Sequence, residues 1–157
     1  MGMHEMNPES RMWFYGLEAA MSESQANELS ILMNEFVSEW KAHGSQLAAA
    51  FRLISKQFLI ISVDESQQVA TGCSIDKSVH LLQEFGKKHH LDFFNRLLVH
   101  VVQNHSFHTY SIRQLKEAIA KGEVHASSTI LNSTATTLKE SGNGVIALKE
   151  SWASKYL

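Results

Sequence analysis

The residues with the clearest potential for chemistry form one segment, which follows an apolar run and opens an amphipathic helix: Thr71-Gly72-Cys73-Ser74-Ile75-Asp76-Lys77-Ser78. It contains the only cysteine of the protein. The N-terminus of a helix presents unpaired backbone N–H groups at the positive end of the helix dipole, and both features favour a bound anion. We therefore predict an anion-binding site at this helix N-terminus, from residue 72 to residue 78.

Acidic residues extend the predicted site. Asp64 and Glu65 follow the apolar run, and Asp76 lies in the first turn of the helix. Carboxylates with separated pKa values can perform acid–base chemistry, although such residues also cap helices or solvate loops. The full set of predicted ligand-binding residues is Asp64, Glu65, Gly72, Cys73, Ser74, Asp76, Lys77 and Ser78.

Cys73 supports a second hypothesis, a thiol-dependent enzyme in which this residue is the nucleophile. A helix N-terminus raises the thiolate fraction of a cysteine, whereas the carboxylate of Asp76 opposes that effect. His80 lies on the same helical face but about 10 Å along the axis, so the fold would have to bring another base close. A third hypothesis is that Cys73 is a small structural residue where a loop meets a helix.

Two familiar site types do not fit the chain. The ending Lys77-Ser78 resembles that of a phosphate-binding loop, but the pattern requires glycine at positions 71 and 76, which are Thr71 and Asp76 here. Among the nine histidines, His100, His105 and His108 are closest in spacing, yet no tight histidine pair with a glutamate occurs. We predict neither a metal site nor a cofactor.

Composition limits the class of protein. A chain of 157 residues suits one domain, which we predict to span residues 1–157. The formal charge of -2 gives no general affinity for nucleic acid. A single cysteine fits a reducing compartment, and no segment has a signal peptide's pattern or the roughly 20 apolar residues of a membrane helix. We predict a cytoplasmic protein with no membrane insertion.

The order of predicted elements is β-α-β-β-α-β, which is typical of the ferredoxin-like α+β fold. Apolar runs and capping boxes place the strands near residues 12–17, 50–54, 58–63 and 97–102, and the helices near 22–40 and 72–86. We expect the first and third strands to be adjacent and parallel, with both helices on one face. This body spans residues 10–103, and residues 104–157 form a C-terminal extension of helix and strand. An exposed strand edge favours a homodimer.

The chain resembles a family of small bacterial proteins of uncharacterised function. The resemblance rests on Val63-Asp64-Glu65-Ser66 and on the Gly-Cys-Ser-Ile-Asp motif at residues 72–76, with an aromatic strand near Trp13 and an ending like Glu150-Ser151-Trp152. Members often carry the label "ABC transporter ATPase", for which a chain without a phosphate-binding loop offers no physical basis. The resemblance implies relatives but no reaction. Three hypotheses therefore stay open: a module that binds an unknown small molecule or protein partner, a thiol-dependent enzyme, and a purely structural protein.

Overall fold

The computed structural model describes residues 2–157, which form a three-stranded sheet, a four-stranded sheet, a two-stranded ribbon and four α-helices. The strands are β1 (Arg11–Gly16), β2 (Lys41–Ala42), β3 (Ser45–Gln46), β4 (Ala48–Ile54), β5 (Phe58–Asp64), β6 (Val99–Gln103), β7 (Ser106–Tyr110), β8 (Thr129–Leu131) and β9 (Val145–Ala147). The helices are α1 (Glu23–Glu39), α2 (Gly72–His89), α3 (Ile112–Ala120) and α4 (Leu138–Ser141). All sheet pairings are antiparallel, and the predicted α+β class is confirmed.

The first sheet has the order β1–β5–β4. The first and third predicted strands, β1 and β5, are neighbours as expected, but the prediction that they run parallel is wrong. The tight turn from β4 to β5 makes those two strands antiparallel, while the helical crossover through α1 leaves β1 and β4 parallel. Because β5 lies between them, it must run against both.

The structure differs from the ferredoxin-like fold in the position of the fourth predicted strand. In that fold it would extend the first sheet, but β6 lies in the second sheet, whose order is β7–β6–β8–β9. β6 has only a short turn before β7, so its nearest available partner is the next strand of its own hairpin. The predicted limit of the body at residue 103 therefore falls inside the β6–β7 hairpin.

The β4–β5 and β6–β7 hairpins turn through left-handed backbone without glycine. Ser55 and Lys56 have φ angles of 53° and 55°, and Asn104 and His105 have 49° and 64°. Two consecutive residues with positive φ form the type I′ turn, whose twist matches that of the strands it joins. The short gap between the predicted strands at 50–54 and 58–63 agrees with the β4–β5 hairpin, whereas the β6–β7 hairpin was not predicted because β7 contains no apolar run.

The helices α1 and α2 pack on one face of the first sheet, as expected. Alternate residues of β1 and β5 point to that face, where they meet apolar side chains of the two helices. The shared cluster includes Tyr15, Leu29, Met33, Leu59, Ile61, Val63, Leu82 and Phe85. The intervening strand residues point to the opposite face, so β5 is covered on both sides.

The opposite face of the first sheet contacts the second half of the chain. Met12 and Phe14 of β1 and Phe58 of β5 form a buried cluster with Ala135. Phe107 of β7 packs against the same cluster. These contacts hold β6 beside β1, although the two strands form no hydrogen-bonded pairing. The gap between the unpaired strands is a cleft.

The helices of the protein differ from membrane-spanning helices. None of the helices within residues 2–157 combines the length and the apolar character needed to cross a membrane.

Candidate functional site

The predicted anion site lies at the N-terminus of α2, where the backbone donors are capped within the chain. Thr71 is the N-cap residue, and its Oγ1 accepts a hydrogen bond from the Ser74 N–H at 3.2 Å. Ser74 Oγ accepts in return from the Thr71 N–H at 2.7 Å. This reciprocal capping box satisfies donors that the prediction assigned to an anion.

The two serines of the predicted site are buried and have internal partners. Ser78 Oγ donates to the Ile75 carbonyl at 2.6 Å, and the Ser74 carbonyl accepts from Trp40 Nε1 at 2.8 Å. Ser74 is 2% exposed and Ser78 is 5% exposed. Both hydroxyls therefore bond to backbone carbonyls within the start of α2 and are not presented to a ligand, while the Ser74 carbonyl links the helix to Trp40.

The acidic residues before α2 organise the loop that leads into it. Asp64 Oδ1 accepts from the Ser66 N–H at 3.0 Å, and this backbone hydrogen bond lowers the pKa of the Asp64 carboxyl. Glu65 Oε2 accepts from the Ala70 N–H at 2.8 Å. Both carboxylates thus have local structural partners. This agrees with the alternative that such acidic residues cap a helix or stabilise a loop.

The remaining predicted residues, Gly72, Cys73, Asp76 and Lys77, lie exposed on the outer side of α2. The five clefts that residues 2–157 form most clearly have none of the eight predicted site residues in their walls. The internal capping and the lack of a neighbouring cleft both count against an anion site at this helix terminus.

A different site lies where β6 stands beside β1. A cleft of about 390 Å³ separates the outer edge of β1 from the segment that leads into β6, and the β8–α4 connection forms its third wall. It is lined by Met12, Trp13, Phe14, Gly16, Phe93, Asn95, Arg96, Leu98, His100, Ser133, Thr134, Ala135 and Thr136. A concave apolar pocket with a few convergent polar groups is the usual form of a small-molecule site.

The free edge of β1 supplies one wall of this cleft. The Met12 N–H donates to the Thr136 carbonyl at 2.9 Å, and the Phe14 carbonyl accepts from Arg96 Nη1 at 2.7 Å. In an antiparallel strand the N–H and C=O of one residue point to the same edge, so the Phe14 N–H also faces away from β5. The missing β1–β6 pairing is thus replaced by side-chain and loop contacts that leave space between the strands.

His100 lies at the base of the cleft and is only 3% exposed. Its Nδ1 is 2.8 Å from Thr109 Oγ1, which also accepts a hydrogen bond from Gln57 Nε2 at 2.8 Å. Within residues 2–157 Nδ1 is the only acceptor in reach of the Thr109 hydroxyl hydrogen, so we assign that hydrogen to the bond with Nδ1 and the imidazole proton to Nε2. Burial lowers the pKa of His100 to about 4, so the ring is neutral near pH 7.

His100 Nε2 reaches the cleft as an unpartnered donor. Within residues 2–157, Ser10 Oγ is the only fully enclosed side-chain nitrogen or oxygen that lacks a hydrogen-bond partner. Nε2 also forms no hydrogen bond there, so it must be in contact with the open space of the cleft. Gly16 permits this position, because a Cβ atom on that residue would overlap Nε2.

Arg96 is positioned at the side of the cleft by two contacts. One is the hydrogen bond to the Phe14 carbonyl, and the other is the stacking of its guanidinium over the Tyr15 ring, 5.2 Å from the centroid. Burial raises the pKa of Tyr15, while the positive charge of Arg96 acts in the opposite direction. The guanidinium is thus held in place with several N–H groups still free to bind.

Sequence reasoning missed this cleft because its residues come from distant parts of the chain. His100 was considered only as a metal ligand, yet a histidine inside the apolar run 97–102 is the signal that could have identified it. A buried polar side chain requires a partner, and Thr109 lies opposite it on the ladder. Nothing in the sequence around Arg96 or Ser133 indicated that these residues line a binding site. For metals, no group of three or more His, Cys, Asp or Glu in the described chain is placed to hold an ion.

Comparison with known proteins gives no further assignment. No protein-family model, no curated protein and no solved structure matches the chain. The function must therefore be argued from the cleft itself.

Proposed function

We propose that the protein binds a small molecule in the cleft between β1 and β6. The observation that carries the proposal is the buried, neutral His100, whose Nε2–H has no protein partner and faces the cleft. Because this donor contacts the open cleft, an acceptor on a ligand can replace water as its hydrogen-bond partner. The cleft volume of about 390 Å³ is within the range of small-molecule sites.

Binding is better supported than catalysis by the hydrogen-bond pattern at His100. With Nδ1 accepting from Thr109 and the proton on Nε2, the ring presents a donor to the cleft and not a base. A group whose pKa is about 4 is also a weak base near neutral pH. Orientation of a ligand by a fixed donor is the role that this geometry favours.

The thiol-enzyme hypothesis has less support. Cys73 is exposed and does not line the cleft. The hypothesis remains testable through the reactivity of the thiol.

Three further proposals come from the sequence alone. They are membership of the bacterial family with the Gly-Cys-Ser-Ile-Asp motif, a cytoplasmic location, and a homodimer. The homodimer is the one that a solution measurement decides directly, and it is taken up in the Discussion.

The test of the proposed function is a fragment screen by ¹H–¹⁵N NMR on the full chain, with one variant that fills the cleft and one that does not. Thr134 is exposed and lines the cleft, while Thr129 is an exposed threonine of β8 that lies outside it. We expect some fragments to shift the amide signals of the lining residues, and these shifts to vanish in Thr134→Trp but persist in Thr129→Trp. Equal binding to both variants, or a library that leaves the lining residues unshifted, contradicts the proposal.

A further inference from the structure

We infer that the ligand of the cleft between β1 and β6 is an organic monoanion, with one carboxylate on an apolar body. This inference rests on the proposed function, because it names the ligand class of the same cleft. Three properties of the lining carry it: its charge, its balance of donors and acceptors, and its apolar surface.

The charge of the lining favours a single negative charge on the ligand. Of the lining residues only Arg96 carries a formal charge near pH 7, and none is an aspartate or a glutamate. His100 adds no second positive charge, because its buried ring is neutral. A monoanion finds one cation in the lining, and the second charge of a dianion would find none.

The polar groups of the cleft are mainly donors. The Arg96 guanidinium keeps N–H groups free beyond the one that binds the Phe14 carbonyl. His100 Nε2–H and the Asn95 amide add further donors, while the Ser133 and Thr134 hydroxyls can act in either sense. An ionised carboxylate accepts hydrogen bonds and donates none, so its chemistry matches this set. An ammonium group would meet few acceptors and one repelling cation.

The rest of the wall is apolar and fits a hydrocarbon or aromatic body. It consists of side chains and backbone from the β1 edge, the segment before β6 and the β8–α4 connection, namely Met12, Phe14, Phe93, Leu98 and Ala135. Burial of apolar surface would contribute affinity, and the charged group would fix orientation. The volume of about 390 Å³ suits a bicyclic ring with a short acid side chain.

Three probes with one ring system test the ligand class: indole-3-acetate, indole-3-acetamide and tryptamine. They share a body and differ in carrying a carboxylate, a neutral amide or an ammonium group. In ¹H–¹⁵N NMR titrations of the full chain, we expect indole-3-acetate to shift the lining residues and to bind roughly tenfold more tightly than the amide, since a charge-assisted hydrogen bond is stronger than a neutral one. Tryptamine should bind most weakly.

Variants of Arg96 test whether the preference for a carboxylate over an amide or ammonium group arises from the cleft. Arg96→Met should reduce the affinity for indole-3-acetate to that for the amide, while Arg96→Lys should retain part of the preference through its charge. Arg113→Met is the matched control, since Arg113 is an exposed arginine paired with Glu117 and does not line the cleft. Well-dispersed spectra establish that each variant is folded.

The inference is overturned if the amide or tryptamine binds as tightly as the carboxylate, or if Arg96→Met leaves the preference unchanged. Failure of indole-3-acetate to reach the cleft at millimolar concentration also overturns it. In those cases the proposed function still stands if neutral or basic fragments bind the cleft and are excluded by Thr134→Trp. The two ideas can therefore fail separately.

Discussion

Thr109 lies directly opposite His100 on the β6–β7 ladder, and its Oγ1 is 2.8 Å from His100 Nδ1. The same oxygen accepts from Gln57, a buried residue at the β4–β5 turn, so the hydrogen-bond chain runs from one sheet to the other. Gln57 Nε2 also donates to the Leu17 carbonyl at 2.8 Å. This chain fixes the orientation of the imidazole and leaves Nε2–H for the cleft.

The stability of the protein should depend on the protonation of His100. The unfolded chain binds a proton on this residue below about pH 6.5, but the folded protein does so only near the lowered pKa of about 4. The contribution of the neutral imidazole to the free energy of unfolding is fully present above pH 6.5. It is lost as the pH falls towards 4, by roughly 3 kcal/mol in total. Urea unfolding between pH 7 and 4 measures it. His100→Asn should flatten this part of the profile, and an unchanged profile in that variant would contradict the lowered pKa.

Removal of the Thr109 hydroxyl should destabilise the fold. Thr109→Val keeps the side-chain volume but leaves His100 Nδ1 and one Gln57 N–H without a partner. We expect a loss of about 1–3 kcal/mol in the free energy of unfolding, whereas Thr109→Ser, which keeps the hydroxyl, should lose less. Urea unfolding measures both, and ¹⁵N shifts of the imidazole report the tautomer. Equal stability of valine and serine variants would mean that the hydroxyl is not needed.

Gly16 should be intolerant of any side chain, in contrast to Gly72. A Cβ atom at Gly16 would overlap His100 Nε2 and crowd the Phe14 ring, while a Cβ atom at Gly72 has open space around it. Gly16→Ala should therefore destabilise the protein by about 1–3 kcal/mol. Gly72→Ala, in the first turn of α2, should be neutral or slightly stabilising. Thermal unfolding of the two variants compares them directly; similar melting temperatures would exclude close packing at Gly16.

The N-terminus of α2 should depend on its cap and not on its cysteine. Thr71→Ala removes the N-cap acceptor and should destabilise the protein by about 1 kcal/mol. Cys73→Ser changes an exposed side chain and should shift the free energy of unfolding by less than about 0.5 kcal/mol. It should also leave ligand binding in the cleft unchanged.

The thiol itself gives a separate test at this helix. If Cys73 were a nucleophile, it would react with iodoacetamide faster than a free thiol at neutral pH. We expect no such acceleration, and a clear one would revive the thiol-enzyme hypothesis.

The proposed homodimer should appear as a mass twice that of the 17.7 kDa chain in light scattering at micromolar concentration. The outer strands β4 and β7 each have one side without a strand partner, and such edges can pair between subunits. A single monomeric species over the whole concentration range would contradict the proposal.

Local patterns in the sequence were sufficient for most of the elements. Alternation and apolar runs located β1, β4 and β5, and the capping-box residues Ser22 and Gln25 located the start of α1. The β6–β7 hairpin was not predicted because β7, Ser-Phe-His-Thr-Tyr, contains no apolar run. The capping box at Thr71 and Ser74 was missed as well, which is why the helix N-terminus looked free to bind an anion.

The sequence by itself determined the α+β class and the positions of the two long helices along the chain, because these follow from periodicity and capping within short segments. Only the tertiary structure decided that β6 leaves the first sheet and stands beside β1. That choice depends on contacts between distant residues, such as Phe58 with Phe107 and Gln57 with Thr109. The cleft exists because of this placement, so its donors, Arg96 and His100, could not be paired from spacing along the chain.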